Sequence, residues 1–400
     1  MIRLSSKIRI RRFKKDGLSF FICFFITLML LSEMYETVLP GQCRYIDEIF
    51  AVIAIIYIAC YLLFGNSLKK LASLILGCTA IMVLCGVFGN IIFSLHYSAK
   101  SVVLDLFLFL KIYVSLLFFI LTITKERASD IYAYLLALSK LFLWLLAIFA
   151  FIDVLRNGIT GLFSFYYKYY GSLAWWAILF FSIIYSDRKC NRLLYFFLTA
   201  ILVTKNGSGL GLLSLGTIVV IYLFVERSKK IKWHHFAVML LVGIIIGHRE
   251  IQTYLVNSKA PRYLLIYYGI ITANKYFPLG SGFATYASAQ AAQNYSRLYY
   301  EYGFDRIWGM SESTKSFIQD SYYPVIIGQL GYFGLIIFAV LISKVLKDIV
   351  LATKDRYCRC SALIAIITWF AAGLGFLGSS TTWGCCVFMV IVLLNRVGND

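Results

Sequence analysis

Four prolines in 400 residues leave very little to interrupt a helix, since proline is the residue that breaks one most sharply. Charge is scarce too. Asp, Glu, Lys and Arg make up 14% of the chain against 61% apolar residues, and the mean hydropathy is +0.81. That balance excludes a soluble globule and points to repeated membrane-length apolar runs. Acidic residues are the scarcer sign, 19 against 38 Lys and Arg. The resulting net charge of +19 does not imply nucleic acid, because the basic residues fall in short clusters between apolar runs, as cytoplasmic loops do. Histidines number four, and no carboxylate pair or His cluster has ligand spacing, so neither a metal nor another cofactor is expected. Six of the ten cysteines (Cys23, Cys60, Cys78, Cys85, Cys385, Cys386) lie inside apolar runs. Cys190, Cys358 and Cys360 lie in basic loops, so no disulfide is expected. No small-residue cleavage site follows the first apolar run, and Met1 to Asp16, with seven basic residues, reads as a cytoplasmic tail before a retained helix.

What is present is a succession of apolar segments. They run at 18–39, 46–64, 71–93, 101–124, 131–155, 173–187, 193–205, 207–225, 235–250, 322–343, 361–378 and 380–395. The expected fold is all-α: one polytopic membrane domain over 1–400 with about twelve transmembrane helices. With the N-terminus inside, 24 of the Lys and Arg residues fall on the cytoplasmic side and only five in short loops on the other. Both termini are therefore expected in the cytoplasm.

The long break at 248–321, between the ninth and tenth spans, falls on the extracytoplasmic side. It holds seven basic, five acidic and fifteen aromatic residues. An aromatic density of that order argues for a structured functional element rather than a linker. Pro261 suits a first helical turn, which would place Arg262 at the start of a helix apolar enough to lie in the membrane interface. Phe277-Pro278-Leu279-Gly280-Ser281-Gly282-Phe283 reads as a turn whose glycines let backbone amides approach a ligand. Asp320 closes the segment, where it would serve either as a helix cap or as a base. Gly328, Gly331 and Gly334 at spacing three read as tight helix packing. Arg249 sits at the outer end of a span, as an anchor or a ligand contact.

Within the spans, Lys205-Asn206-Gly207-Ser208-Gly209 joins two helices with almost no loop. Lys205 there is either a snorkelling anchor or a basic group held at the membrane surface. Asp105, Lys111 and Lys140 are ionisable groups in apolar runs. Asp105 and Lys111 are six apart and do not face each other. They read as a buried structural pair with Lys140 nearby or snorkelling, with a proton or ion pathway as the sharper alternative.

The order Arg262, Pro278-Leu-Gly-Ser-Gly-Phe283, Asp320-Ser-Tyr and Gly331-Tyr-Phe-Gly334-Leu resembles the bacterial O-antigen and capsule repeat-unit polymerases and the related O-antigen ligases. The shared pattern is an arginine opening an interfacial helix, a P-x-G-x-G turn, a polar residue closing the loop and G-x-x-G in the next helix. Thr204-Lys-Asn-Gly-Ser-Gly209 is similar to that family's T-x-S-R-x-G element, with Lys205 one place from the arginine. The likeness covers roughly Val203 to Ala339. Where the ligases carry a closing histidine this chain has Asp320, which favours a polymerase.

The resemblance implies a bacterial plasma-membrane enzyme that joins oligosaccharide repeat units carried on undecaprenyl diphosphate, with a flippase and a chain-length regulator as partners besides the lipid bilayer. Its chemistry needs cations on the leaving diphosphate, for which Arg262, Arg249 and Lys205 are the candidates. It also needs a base for the acceptor hydroxyl, Asp320 or Glu312. Tyr299, Tyr300, Tyr302 and Trp308 would stack on sugar faces, and Pro278, Gly280 and Gly282 would shape the diphosphate end. A ligase is the nearest alternative. A flippase or other transporter is the alternative from another class, but transporters show internal repeats and this chain has none.

Overall fold

The computed structural model describes residues 16–38, 45–158, 170–205, 209–226, 233–252, 256–375 and 382–399. Among them every regular element is a helix. In chain order these are α1 (Gly17–Val38), α2 (Ile46–Leu63), α3 (Lys70–Phe93), α4 (Ala99–Thr122), α5 (Lys125–Asn157), α6 (Tyr170–Tyr185), α7 (Arg192–Lys205) and α8 (Gly209–Val220). Then come α9 (Trp233–Ile246), α10 (His248–Ile251), α11 (Pro261–Lys275), α12 (Ala289–Gln293), α13 (Arg297–Glu301), α14 (Tyr323–Val345), α15 (Arg356–Gly375) and α16 (Thr382–Val397). A π-helical turn prolongs α8 to Val225 and another prolongs α14 to Leu351.

The expected apolar segments lie on α1–α9 and α14–α16. Six of the helices (α2, α3, α4, α5, α14 and α15) are long and apolar enough to cross a membrane, which marks a membrane protein. The apolar stretch of α15 is 67% buried and that of α2 only 28%, so α15 stands inside the bundle and α2 at its rim. Trp176, Trp369 and Trp383, fully enclosed on α6, α15 and α16, fill the middle of a single large core. Two of the four prolines sit where helices begin, Pro261 in the first turn of α11 and Pro324 in that of α14. There the missing N–H has no helical partner to lose.

Residues 256–321 fold around a second, smaller core. Tyr286, Tyr299 and Phe304 are fully buried in it with Leu265, Met310 and Ile318. Two short helices are held by serine caps: Ser288 Oγ accepts from Ala291 N and Ser296 Oγ from Leu298 N, each satisfying a donor that a helix start leaves bare. This unit rests on α14 through α11, and α14 is itself broken. Gly331 has φ 61° and ψ −167°, a conformation open in practice only to glycine.

Asp105 and Lys111 do not form the structural pair expected, and Lys140 has a partner of its own. Lys111 of α4 reaches α2, where its ammonium pairs with Asp47 and lies 3.6 Å from Glu48. Lys140 of α5 pairs with Asp187, just past α6, at 3.0 Å. Asp105 faces neither of them and accepts hydrogen bonds from Ala284 N and Gln329 Nε2. The six-residue offset turns Asp105 and Lys111 to different neighbours, and each has its own partner.

Candidate functional site

Carbonyls in the final turns of α15 accept hydrogen bonds from residues of the 256–323 region. Tyr323 OH donates to Phe370 O at 2.9 Å. Gly373 O accepts from Tyr322 N at 2.9 Å and from Ser321 Oγ at 3.2 Å. Arg262, in the first turn of α11, donates through Nη2 to Gly375 O at 3.2 Å. A cation at a helix C-terminus also complements the helix dipole.

The same Nη2 stands 3.4 Å from Asp320 Oδ2. Arg262 and Asp320 are distant in sequence but paired in space, and both remain partly open: their side chains are 17% and 32% exposed. Burial pushes the Asp320 carboxyl above its ordinary value, and the adjacent guanidinium partly offsets that rise. Asp320 is thus a stronger base than a solvated aspartate. A methyl group on Gly375 would lie 3.2 Å from Arg262 Cζ and would collide with Leu210 Cδ1. The absence of a side chain there lets the first turns of α8 and α11 and the last turn of α15 converge. Leu210, at the start of α8, thus stands near Arg262 across Gly375; residues 206–208 lie outside the described residues. The side chains of Lys205 and Arg249 lie outside the described residues.

The Pro278–Phe283 turn has a different role from the one expected of it. Its amides face protein, not an open site. Ser281 N and Gly282 N donate to Gly328 O and Gln329 O at 2.9 and 3.0 Å, which fills the carbonyls freed where α14 breaks. Phe283 N donates to Asn90 Oδ1 at 2.8 Å, and Asn90 Nδ2 returns a bond to Phe283 O at 2.8 Å. Pro278 O accepts from Phe333 N at 3.2 Å. Gly280 has φ +77° and presses on the Gly331 backbone, while Gly282 has φ +90° and presses on Asn90. Gly280 and Gly282, following Pro278, therefore serve close approach, as glycine permits, but what approaches is α3 and α14. The spacing-three glycines of α14 also divide their roles: Gly328 abuts the Tyr286 ring, whereas Gly331 makes the break.

Two of the four expected sugar-stacking residues are core. Tyr299 is fully buried, its hydroxyl accepting from Ala287 N at 2.8 Å. Tyr302 is 8% exposed, with its hydroxyl 2.9 Å from Thr272 Oγ1. Neither has a face to offer a ligand, because a unit of this size needs its aromatics to make a core. Tyr300 and Trp308 are open instead, 52% and 77% exposed. Trp308 is braced edge-on by Phe317. Glu312 accepts from Tyr300 OH at 2.5 Å, which places it with the exposed aromatics and not with Arg262.

Asn90 and Gln329 are the residues that sequence reasoning passed over. Gln329 Nε2 donates to Asp105 Oδ2 and to Tyr286 O, both at 3.0 Å, so it ties α4 to the smaller unit. The available signal was the run Gly86-Val-Phe-Gly89-Asn90 in an apolar segment. A side chain at Gly86 would strike the Phe283 ring, and one at Gly89 would lie 2.8 Å from Gly282 N.

Searches against protein-family models, curated proteins and solved structures return no match for this chain.

Proposed function

We propose that this chain is a bacterial plasma-membrane polymerase that joins undecaprenyl-diphosphate-linked oligosaccharide repeat units into a surface polysaccharide. In this reading about twelve helices span the membrane, both termini are cytoplasmic and the 248–321 segment is extracytoplasmic. The observation that carries it is the pairing of Arg262 with Asp320 against the end of α15, with Leu210 at the start of α8 beside it. Two of the four elements whose order carried the family resemblance, Arg262 and Asp320, thus meet at one corner.

The chemistry assigned to that corner is an inverting glycosyl transfer. The acceptor hydroxyl loses its proton to the Asp320 carboxylate as its oxygen bonds to the anomeric carbon of the donor. The bond from that carbon to the diphosphate oxygen breaks, and the electron pair leaves with the lipid diphosphate. Arg262 offers a planar guanidinium suited to two phosphate oxygens at once, with Lys205 and Arg249 as further cations. Tyr300 and Trp308 supply open aromatic faces for sugars. Glu312, held by Tyr300, belongs with that surface and cedes the base to Asp320.

Arg262→Ala tests the reading in cells. Long glycan chains are expected to vanish while single lipid-linked repeats persist, with the protein at its normal level. Normal chain length in that variant would sink the assignment. Deleting the protein separates the alternatives. A missing ligase leaves finished polymer on its carrier lipid, and a missing flippase traps repeat units on the inner leaflet.

A further inference from the structure

The opposite end of α15 from Gly375 carries a second concentration of cations, and no part of the proposed transfer uses it. The ring of Tyr357 is surrounded by three guanidiniums: Arg192 Cζ lies 3.9 Å from its centroid, Arg356 Cζ 4.7 Å and Arg188 Cζ 5.3 Å. Arg192 also lies 5.1 Å from the Tyr185 ring centroid. Stacking on aromatic faces fixes guanidinium planes and leaves their N–H edges free to meet an anion.

Two carboxylates answer these three cations. Asp355 accepts from Arg188, and its other oxygen takes the backbone N–H groups of Tyr357 and Cys358 at 2.9 Å. Glu226 lies 3.3 Å from Arg192 Nη1 and accepts from Tyr185 OH. Lys189 adds another positive charge beside them, and the chain after Glu226 reads Arg227-Ser-Lys-Lys-Ile-Lys232. The Nε of Arg192 is buried and makes no hydrogen bond among the described residues. Beyond its pairing with Glu226, this fixed, stacked guanidinium keeps one idle donor in a corner of excess positive charge.

The adjoining surface says what kind of molecule brings an acceptor to it. Directly after Arg192, α7 presents Leu193, Phe197 and Ile201, which are 58%, 61% and 54% exposed. At spacing four they form one apolar stripe along the helix. Leu223, near the end of the π-helical turn before Glu226, is also exposed. Anion-binding edges at the head of an apolar stripe match a phosphodiester headgroup with acyl chains below it.

We propose that Arg188, Arg192 and Arg356, set around Tyr357, bind the headgroup of an anionic phospholipid whose chains lie along Leu193, Phe197 and Ile201. This is independent of the glycosyl-transfer reading.

The test uses the full chain purified in mixed micelles, with thermal unfolding followed as lipid is added. Phosphatidylglycerol is expected to raise the melting temperature saturably, and phosphatidylcholine to have little effect, since a ligand that binds only the folded state stabilises it by mass action. In R188Q/R356Q the apparent Kd for phosphatidylglycerol should weaken about thirtyfold, for two lost headgroup contacts. That variant keeps the Arg192–Glu226 pair, and unfolding without added lipid checks that it is folded. K69Q/K70Q removes equal charge elsewhere and should bind as the parent does. Equal binding by R188Q/R356Q and the parent overturns the proposal. So does a shift of the same size from inorganic phosphate alone, which would make the ligand a soluble anion.

Discussion

Gly280 and Gly331 touch backbone to backbone: a methyl group on either would collide with the amide of the other. Both hold positive φ, 77° and 61°. The contact seats the 278–283 turn in the break of α14, so the unit that carries Arg262 is keyed to the bundle by two residues without side chains.

Gly331→Ala should therefore be among the most damaging single-methyl changes in the chain. The φ, ψ pair at Gly331 is open in practice only to glycine, at a cost of about 1–3 kcal/mol for any other residue, and the steric conflict with Gly280 adds to it. A loss of more than ~3 kcal/mol is expected, read as a large fall in melting temperature in detergent. Gly303→Ala is the control. It shares positive φ, 72°, but a Cβ there meets nothing within 4 Å, so only about 1–2 kcal/mol of left-handed strain should appear. Equal losses at the two sites would mean that the keyed contact contributes nothing.

How far this was legible in the sequence differs from element to element. Apart from Pro324 at the start of the tenth, the apolar segments lack proline, so their helices could be placed from hydropathy alone. Arg262 was legible because Pro261 marks a helix start, and Asp320 because it is the polar residue that closes the loop in the order the resemblance follows. The glycines of the turn were legible as sites of close approach. Their partner was not, since sequence cannot say whether a bare backbone meets a ligand or another helix. Tyr299 and Tyr302 were misjudged for a related reason. An aromatic-rich stretch between spans reads as surface, and only the folded unit shows that it must use its tyrosines as its own core. Asn90 was missed because a lone amide in an apolar helix gives no hint of a backbone more than a hundred residues away.

Asp320 predicts the pH dependence of the proposed transfer. Burial raises its carboxyl above the ordinary 3.8, and Arg262 draws it back part of the way. For folding, the charged form is the disfavoured one. The contribution of this group to stability is thus present at low pH and lost as pH rises through the raised value. For activity the sense reverses, because a base must be deprotonated. Transfer rates measured in membranes should rise along an acid limb lying above the range of a solvated aspartate. Arg262→Gln removes the offset and should move the limb to higher pH in whatever activity remains, and Asp320→Asn should abolish transfer. An acid limb unchanged in Arg262→Gln would detach the two residues from one another.

Asp105 and Asn90 predict unequal responses to exchanges of amide and carboxylate. Asp105 Oδ2 only accepts, from Ala284 N and Gln329 Nε2, and the carbonyl of an asparagine can accept both bonds. Asp105→Asn keeps those two bonds and loses only the backbone donor of Gln290 on the other side of the carboxylate, for a loss of about 1 kcal/mol. Asn90 both accepts from Phe283 N and donates to Phe283 O. Asn90→Asp places a carboxylate against that carbonyl and strands a buried acceptor, for a loss of roughly 2 kcal/mol or more. Chemical unfolding in micelles distinguishes the two variants. A folded Asp105→Asn protein that has lost all function would instead point to proton transfer through Asp105.

Lys111 separates a structural ion pair from a working one. Its ammonium is 3% exposed and paired with Asp47, itself 6% exposed, with Glu48 beside them. Removing the cation alone, in Lys111→Met, leaves buried carboxylate charge with no counterpart, a situation that costs about 3–5 kcal/mol. Removing both members of the close pair, in Lys111→Met with Asp47→Leu, removes that penalty and substitutes apolar packing. If the pair only holds α2 to α4, the double variant should recover most of the stability lost by the single one and keep its function. The coupling is read from a double-mutant cycle of unfolding measurements. Additive losses would show that Lys111 and Asp47 act on different partners. Recovered stability with function absent would show that the charges themselves take part in what the protein does.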